Sequence, residues 1–156
     1  MIKIREYLRK LDIKFVEHKH PPVYTSEQAE KYHKNIMGVH SKNLFIKNRK
    51  PKKYYLVIIP FNEKFDFNKF EMLLDDKLKF VNEEDLKNIL GVISGAVSPF
   101  ALINDKEHKV QILIDKRVWE SYFVSFHPNI NTETLELSRP DFHKYIKSLN
   151  NKLIII

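Results

Sequence analysis

Lys42 lies within Gly38-Val39-His40-Ser41-Lys42-Asn43-Leu44-Phe45, beside β-rich residues rather than at a turn tip. A lysine held there presents a compact point charge to a carbonyl or phosphate oxygen. The chain has only 3 glycines, where average usage would give roughly 11, so each position is informative. Gly38 precedes the His-Ser-Lys-Asn run, and Gly91 and Gly95 bracket a turn ending in Ser98-Pro99-Phe100. A glycine-poor chain keeps glycine where a side chain would block a positive φ or a close approach to the backbone. Gly91 reads as a helix stop and Gly95 as part of a site. A third cluster, His127-Pro128-Asn129-Ile130-Asn131-Thr132-Glu133-Thr134, offers an imidazole, amides and hydroxyls between two predicted strands. Such loops gather binding groups, although prolines and asparagines also make ordinary turns.

With 0 cysteines, disulfides, thiol nucleophiles, thiolate zinc sites and iron–sulfur clusters are excluded. There is no Gly-x-Ser-x-Gly elbow, phosphate loop, dinucleotide glycine fingerprint or His-Glu-x-x-His. His18 and His20 would supply two metal ligands but lack a clear third, and no metal or cofactor is called for. His18, His33, His108 and His143 read as surface residues.

Charge points to a polyanion. The net charge is +7 with a pI near 9.4, which favours nucleic acid or acidic lipid. Residues 31–53 carry Lys31, Lys34, Lys42, Lys47, Arg49, Lys50, Lys52 and Lys53 and no acidic residue. Such a stretch can neutralise phosphates and give salt-dependent binding to RNA or DNA. For residues 50–53 alone, a solvated hairpin tip is an equal reading.

The elements that must position these groups fit one domain of 156 residues, 43% hydrophobic and 30% charged, with chain enough for a single core. Ile4, Leu8 and Leu11 predict an amphipathic helix, followed by a strand over residues 13–17 and a structured loop over 18–24. Thr25-Ser26-Glu27-Gln28 has the form of a capping box starting a helix to about Tyr32. Residues 43–47 and 54–59 read as a hairpin; residues 67–74 and 83–90 as helices, the second between Asn82 and Gly91. Strands are expected at 101–103, 110–115, 124–126 and 134–137. A helix starting near Pro140 and a closing apolar strand at the C-terminus complete the set. Short turns between several strands predict an α+β fold, a mixed sheet with helices packed on it. No apolar window approaches the ~18 residues of a membrane span, and no signal peptide is evident, so a soluble cytoplasmic protein is expected.

Taken together, residues 38–45, residues 90–100 and the run from His127-Pro128 to Thr134 resemble the three signatures of the prolyl-tRNA editing family, also called YbaK/ProX. Residues 20–30, His-Pro-Pro-Val-Tyr-Thr and the following helix, resemble its stand-alone branch that removes alanine from mischarged tRNA for proline. The resemblance implies a curved, largely antiparallel mixed sheet flanked by helices and hydrolysis of an aminoacyl ester. By matching motifs it makes Lys42 the residue most important for activity, with Asn43 beside it. His127, Asn131 and Thr132 would hold substrate. Ile36, Met37, Val39, Val97, Ser98, Pro99 and Phe100 would line a small pocket, and backbone N–H groups of Gly95 and Ala96 would stabilise the oxyanion. The partner implied is tRNA, touched by the basic residues 31–53, with a prolyl-tRNA synthetase as a further candidate. Cys- or Ser-tRNA deacylation, or nucleic-acid binding without catalysis, are the alternatives. The chain departs from the family at Ser94-Gly95-Ala96, often Pro-Gly-Ser, and at Glu133, commonly Ala.

Overall fold

The computed structural model describes residues 3–24, 26–34, 36–50 and 52–156. Its centre is β3 (Tyr54–Pro60), buried along its whole length. Alternation sends Tyr54, Leu56 and Ile58 into a large core and Tyr55, Val57 and Ile59 into a smaller one on the opposite face. Each buried aliphatic side chain there contributes about 1.5–3 kcal/mol. The other strands are β1 (Val16–Lys19), β2 (Val39–Asn48), β4 (Leu78–Phe80), β5 (Val110–Ile114), β6 (Phe123–Phe126), β7 (Glu133–Ser138) and β8 (Leu153–Ile155). They form one mixed sheet in the order β1-β7-β6-β2-β3-β5-β8, with β4 also on β2. β2 runs antiparallel to β3 and β4 and parallel to β6.

The helices are α1 (Ile4–Lys10), α2 (Ser26–His33), α3 (Phe67–Leu74), α4 (Glu83–Leu90), α5 (Lys116–Trp119) and α6 (Arg139–Ser148). Through Leu8, Leu86, Leu90, Val118, Phe142 and Tyr145, α1, α4, α5 and α6 cover the large core, whereas Phe70 of α3 covers the small one. Local signals set the ends: the Asn82 side chain accepts from Asp85 N–H, and Gly91 closes α4 at φ 67°. Asp115 likewise accepts from Arg117 N–H at the start of α5.

Three expectations change. The strand of residues 13–17 lies at Val16–Lys19, because pairing with β7 sets its register and Ile13 is buried in the core. It takes His18 and Lys19 out of the expected loop. The expected strand at 101–103 is a 3-10 helix, Pro99–Asn104, whose start is capped by the Ser98 hydroxyl. The short elements β4 and α5 were not expected. Thr25, the first residue of the expected capping box, lies outside the described residues. The closing strand β8 pairs with β5 of the same chain.

Candidate active site

β2 creates the site by losing its neighbour. One edge pairs with β3 from Ser41 to Lys47. The other pairs with β6 only at Val39 and His40 and with β4 only from Ile46 to Asn48, so among the described residues no strand covers that edge between them. His40 O accepts from Phe61 N–H at 2.8 Å. By antiparallel alternation, the backbone groups of Lys42 then face β3, and those of Ser41 and Asn43 face the open edge. At this split lies a cavity of about 30 Å³ lined by His40, Ser41, Asn43, Ser125, Phe126, His127 and Thr134. Ser41 Oγ and Asn43 Oδ1 are buried without a hydrogen-bond partner among the described residues.

Three further segments are stitched around it. Ser98 donates its hydroxyl to His127 O at 2.6 Å. Val23 N–H donates to Asn131 O, and His20 N–H to Thr132 O. At Gly95 an added Cβ would stand 3.7 Å from both Asn131 Nδ2 and Tyr24 Cδ1, which is ordinary contact, so space rather than backbone geometry distinguishes that glycine. Gly38 is different: its φ is +93° and a Cβ would lie 2.0 Å from Phe123 O, a contact open to glycine alone. It lets the chain enter β2 against β6.

His127 carries its proton on Nδ1, which donates to Glu133 O at 2.9 Å. Burial holds the imidazole below its ordinary pKa, opposed by that hydrogen bond and reinforced by nearby His20. It is therefore neutral near pH 7, with Nε2 as an acceptor. His20 is no metal ligand here: its Nδ1 donates to Pro21 O, its Nε2 pairs with Thr134 Oγ1 at 2.8 Å, and its ring stacks on Tyr32 of α2. Glu136 Oε1 accepts from both Met37 N–H and His18 Nε2. His18 and His143 are half-buried rather than surface residues, His108 is exposed, and the His33 side chain lies outside the described residues.

Lys42 lies on the opposite face of β2 from Ser41 and Asn43, half-buried, and does not line the cavity. Its ammonium has no ion pair or hydrogen bond among the described residues, whereas Lys47 is bound to Asp85 at 2.9 Å. Lys47 is thus corrected from the phosphate-binding set, because its charge is already compensated. Lys31, Lys34, Arg49, Lys50, Lys52 and Lys53 remain exposed.

Two more expectations shift. Ala96 N–H donates to Ile93 O at 3.0 Å and is spent, whereas Gly95 N–H has no hydrogen bond among the described residues. Pro99 and Phe100 are buried, with Pro99 O accepting from the Tyr145 hydroxyl and Phe100 packed edge-on against Phe126 and Tyr145. They support the loop from the core rather than lining a pocket. Val39 and Val97 pack partly against the same core, Ile36 is buried, and Met37 is 59% exposed. Asn131 is buried and Thr132 half-buried. Glu133, where the family commonly has Ala, is ion-paired with Arg5 of α1. Sequence reasoning placed Thr134 in the 127–134 cluster without assigning it a site role, and it assigned none to Ser41, which alternation along a longer β2 would have exposed.

A family model described as the aminoacyl-tRNA editing domain matches residues 20–145. The chain is 34% identical over 145 residues to the prolyl-tRNA editing protein ProX of Acetoanaerobium sticklandii, covering 92% of this chain and 88% of that one. It is 33% identical over 155 residues to the prolyl-tRNA synthetase associated domain-containing protein 1 of Xenopus laevis, covering 96% and 92%. A solved structure of a candidate trans-editing enzyme for prolyl tRNA synthetase superposes with a TM-score of 0.72 at 14% identity, over 98% of this chain and 93% of that one. That of a hypothetical protein gives 0.75 at 14% identity, over 97% of each. At that identity these structures share the fold. No helix among the described residues is long and apolar enough to cross a membrane.

Proposed function

The chain belongs to the aminoacyl-tRNA editing domain family and is a hydrolase of the aminoacyl-tRNA deacylase class; from that premise we propose that it clears mischarged tRNA for proline, with alanine as the acyl group removed. An aminoacyl ester is already activated, so the protein need supply only position, a water and charge stabilisation. The water oxygen bonds to the ester carbonyl carbon, the bond from that carbon to the ribose oxygen breaks, and the ribose oxygen takes a proton. In this reading Gly95 N–H donates to the developing oxyanion. His127 and Asn131 hold the substrate on the loop fixed by Ser98, and a ribose hydroxyl aligns the water.

The observation that carries the proposal is the state of Lys42. A half-buried ammonium with no ion pair or hydrogen bond among the described residues keeps its charge available for the oxygen atoms of a ligand. We assign it the orientation of the terminal adenosine or ester carbonyl. The exposed lysines of α2 and the hairpin tip after β2 would meet phosphates, and a prolyl-tRNA synthetase would be the partner that releases the substrate in the cytoplasm. Small acyl groups fit and the proline ring is rejected by size, strengthened by clash rather than by lost contact alone.

Incubating the protein with tRNAs carrying Ala, Ser, Cys or Pro tests the proposal. Fastest release of alanine with proline left intact supports it. Preferential release of cysteine or serine reassigns the substrate, and salt-sensitive binding without release of any amino acid contradicts it.

A further inference from the structure

The imidazole of His127 is oriented by the far end of its own loop. Its Nδ1–H donates to the backbone oxygen of Glu133, the first residue of β7. One end of that loop is secured by Ser98, which donates to His127 O; the other is secured from α1. The Arg5 guanidinium donates from Nη2 to the Glu133 carboxylate and from Nε to the carboxylate of Glu17 on β1. Glu17 lies opposite Leu135 in the antiparallel pair of β1 with β7, which makes Glu17 and Glu133 diagonal neighbours on one face of the sheet, a spacing that a planar fork of donors can bridge. Arg5 is itself held in place. Ile4 and Leu8 of the same helix are buried in the large core, and the Tyr7 hydroxyl shares a hydrogen bond with Ser148 Oγ at 2.8 Å. Of the two carboxylates Glu133 is the better shielded, its side chain 18% exposed against 41% for Glu17, so its contact with Arg5 is the less screened by solvent.

We propose that Arg5 is a positioning residue for His127. By tying the Glu133 side chain to α1 it fixes the carbonyl oxygen of the same residue against Nδ1, and that acceptor keeps the proton on Nδ1 and leaves Nε2 as an acceptor. The inference rests on the deacylase reading, in which His127 holds the substrate. It traces that role back to α1, none of whose residues is among those lining the cavity. Without the guanidinium the Glu133 carbonyl loses its lateral anchor. The ring is then free to exchange to the other tautomer, in which Nε2 donates and no longer accepts.

The test uses the full chain and two readouts, one of which needs no substrate. In nitrogen-15 spectra of the neutral imidazole, His127 should show a protonated Nδ1 and a bare Nε2 in the wild type. Arg5→Ala should give a mixture of tautomers, and so should Glu133→Gln, which keeps the backbone carbonyl and removes the ion pair from its other side. Glu17→Ala is the control: it takes away one partner of the guanidinium, leaves the contact with Glu133, and should keep the wild-type signature. With whichever aminoacyl-tRNA the protein turns over fastest, kcat/KM should fall about fivefold or more in Arg5→Ala and change by less than about twofold in Glu17→Ala. In a His127→Gln background, Arg5→Ala should cost nothing further. An unchanged tautomer signature in both Arg5→Ala and Glu133→Gln, an equal loss of turnover in Glu17→Ala, or losses that add fully to that of His127→Gln overturn the inference. If the wild type turns over no aminoacyl-tRNA, the deacylase reading fails, while the tautomer spectra still decide whether Arg5 positions the ring.

Discussion

The Ser98 hydroxyl lies 2.6 Å from the carbonyl oxygen of His127 and at the same time accepts from Phe100 N–H at 3.1 Å. One wholly buried side chain thereby joins the turn carrying Gly95 to the loop carrying His127, two segments about thirty positions apart in the chain. Ser98→Ala leaves the part-buried His127 carbonyl and the buried Phe100 N–H without that partner. The expected cost is ~1–3 kcal/mol in denaturant unfolding, with a parallel fall in deacylation. Unchanged stability would show that the two segments are held together by other contacts.

The two site glycines should respond in opposite ways. Gly38→Ala places a methyl 2.0 Å from Phe123 O at a left-handed φ and should cost ~3 kcal/mol or more, read as a loss of folded protein. Gly95→Ala meets only ordinary contacts, so stability should stay within ~0.5 kcal/mol. Its methyl enters the space between Asn131 and Tyr24, and kcat/KM should drop about tenfold or more, or ~1.4 kcal/mol of transition-state stabilisation. Equal effects of the two substitutions on stability would contradict this division.

These outcomes rest on features of unequal legibility. The helix between Asn82 and Gly91 and the hairpin of β2 and β3 could be read because capping residues and alternation are local signals. The short apolar run at residues 101–103 suits a strand or a buried helix equally, and the Ser98 cap with Pro99 in the first turn decided for the latter. β4 exists because β2 offers an edge to Leu78–Phe80, a tertiary fact that three residues cannot announce. At the site, motifs marked Lys42, Asn43, His127 and Asn131. That Lys42 and Asn43 occupy opposite faces follows from period-two alternation. The pairing of His20 with Thr134 joins positions 114 residues apart and has no local trace.

Lys47 and Lys52 should separate structural from phosphate-binding charge. Lys52→Ala should reduce the slope of log binding constant against log salt for tRNA by about 0.7–0.9, the loss of one phosphate contact. Lys47→Ala should leave that slope unchanged and cost at most ~1 kcal/mol of stability through the freed Asp85. A change in slope with Lys47 and none with Lys52 would reverse the assignment.

His127 should make the fold sensitive to acid. Its pKa is lowered in the folded state, chiefly by burial, from an ordinary value of 6.5, so the unfolded chain binds the proton first. Its contribution is fully present above about pH 6.5 and is lost as the pH falls from there towards the folded-state value. Denaturant unfolding between pH 7.5 and 5.5 should show a smaller acid loss in His127→Gln than in the wild type. An identical loss in both would mean that this imidazole titrates normally.

The role of Lys42 is tested most directly by the turnover of alanyl-tRNA for proline by Lys42→Ala, alongside a melting curve confirming that the variant is folded. The expected result is a folded protein that has lost deacylation by at least a hundredfold, or ~2.7 kcal/mol of barrier, since the ammonium removed has no ion pair or hydrogen bond among the described residues. Near-normal turnover by that variant would contradict the account and remove Lys42 from the reaction.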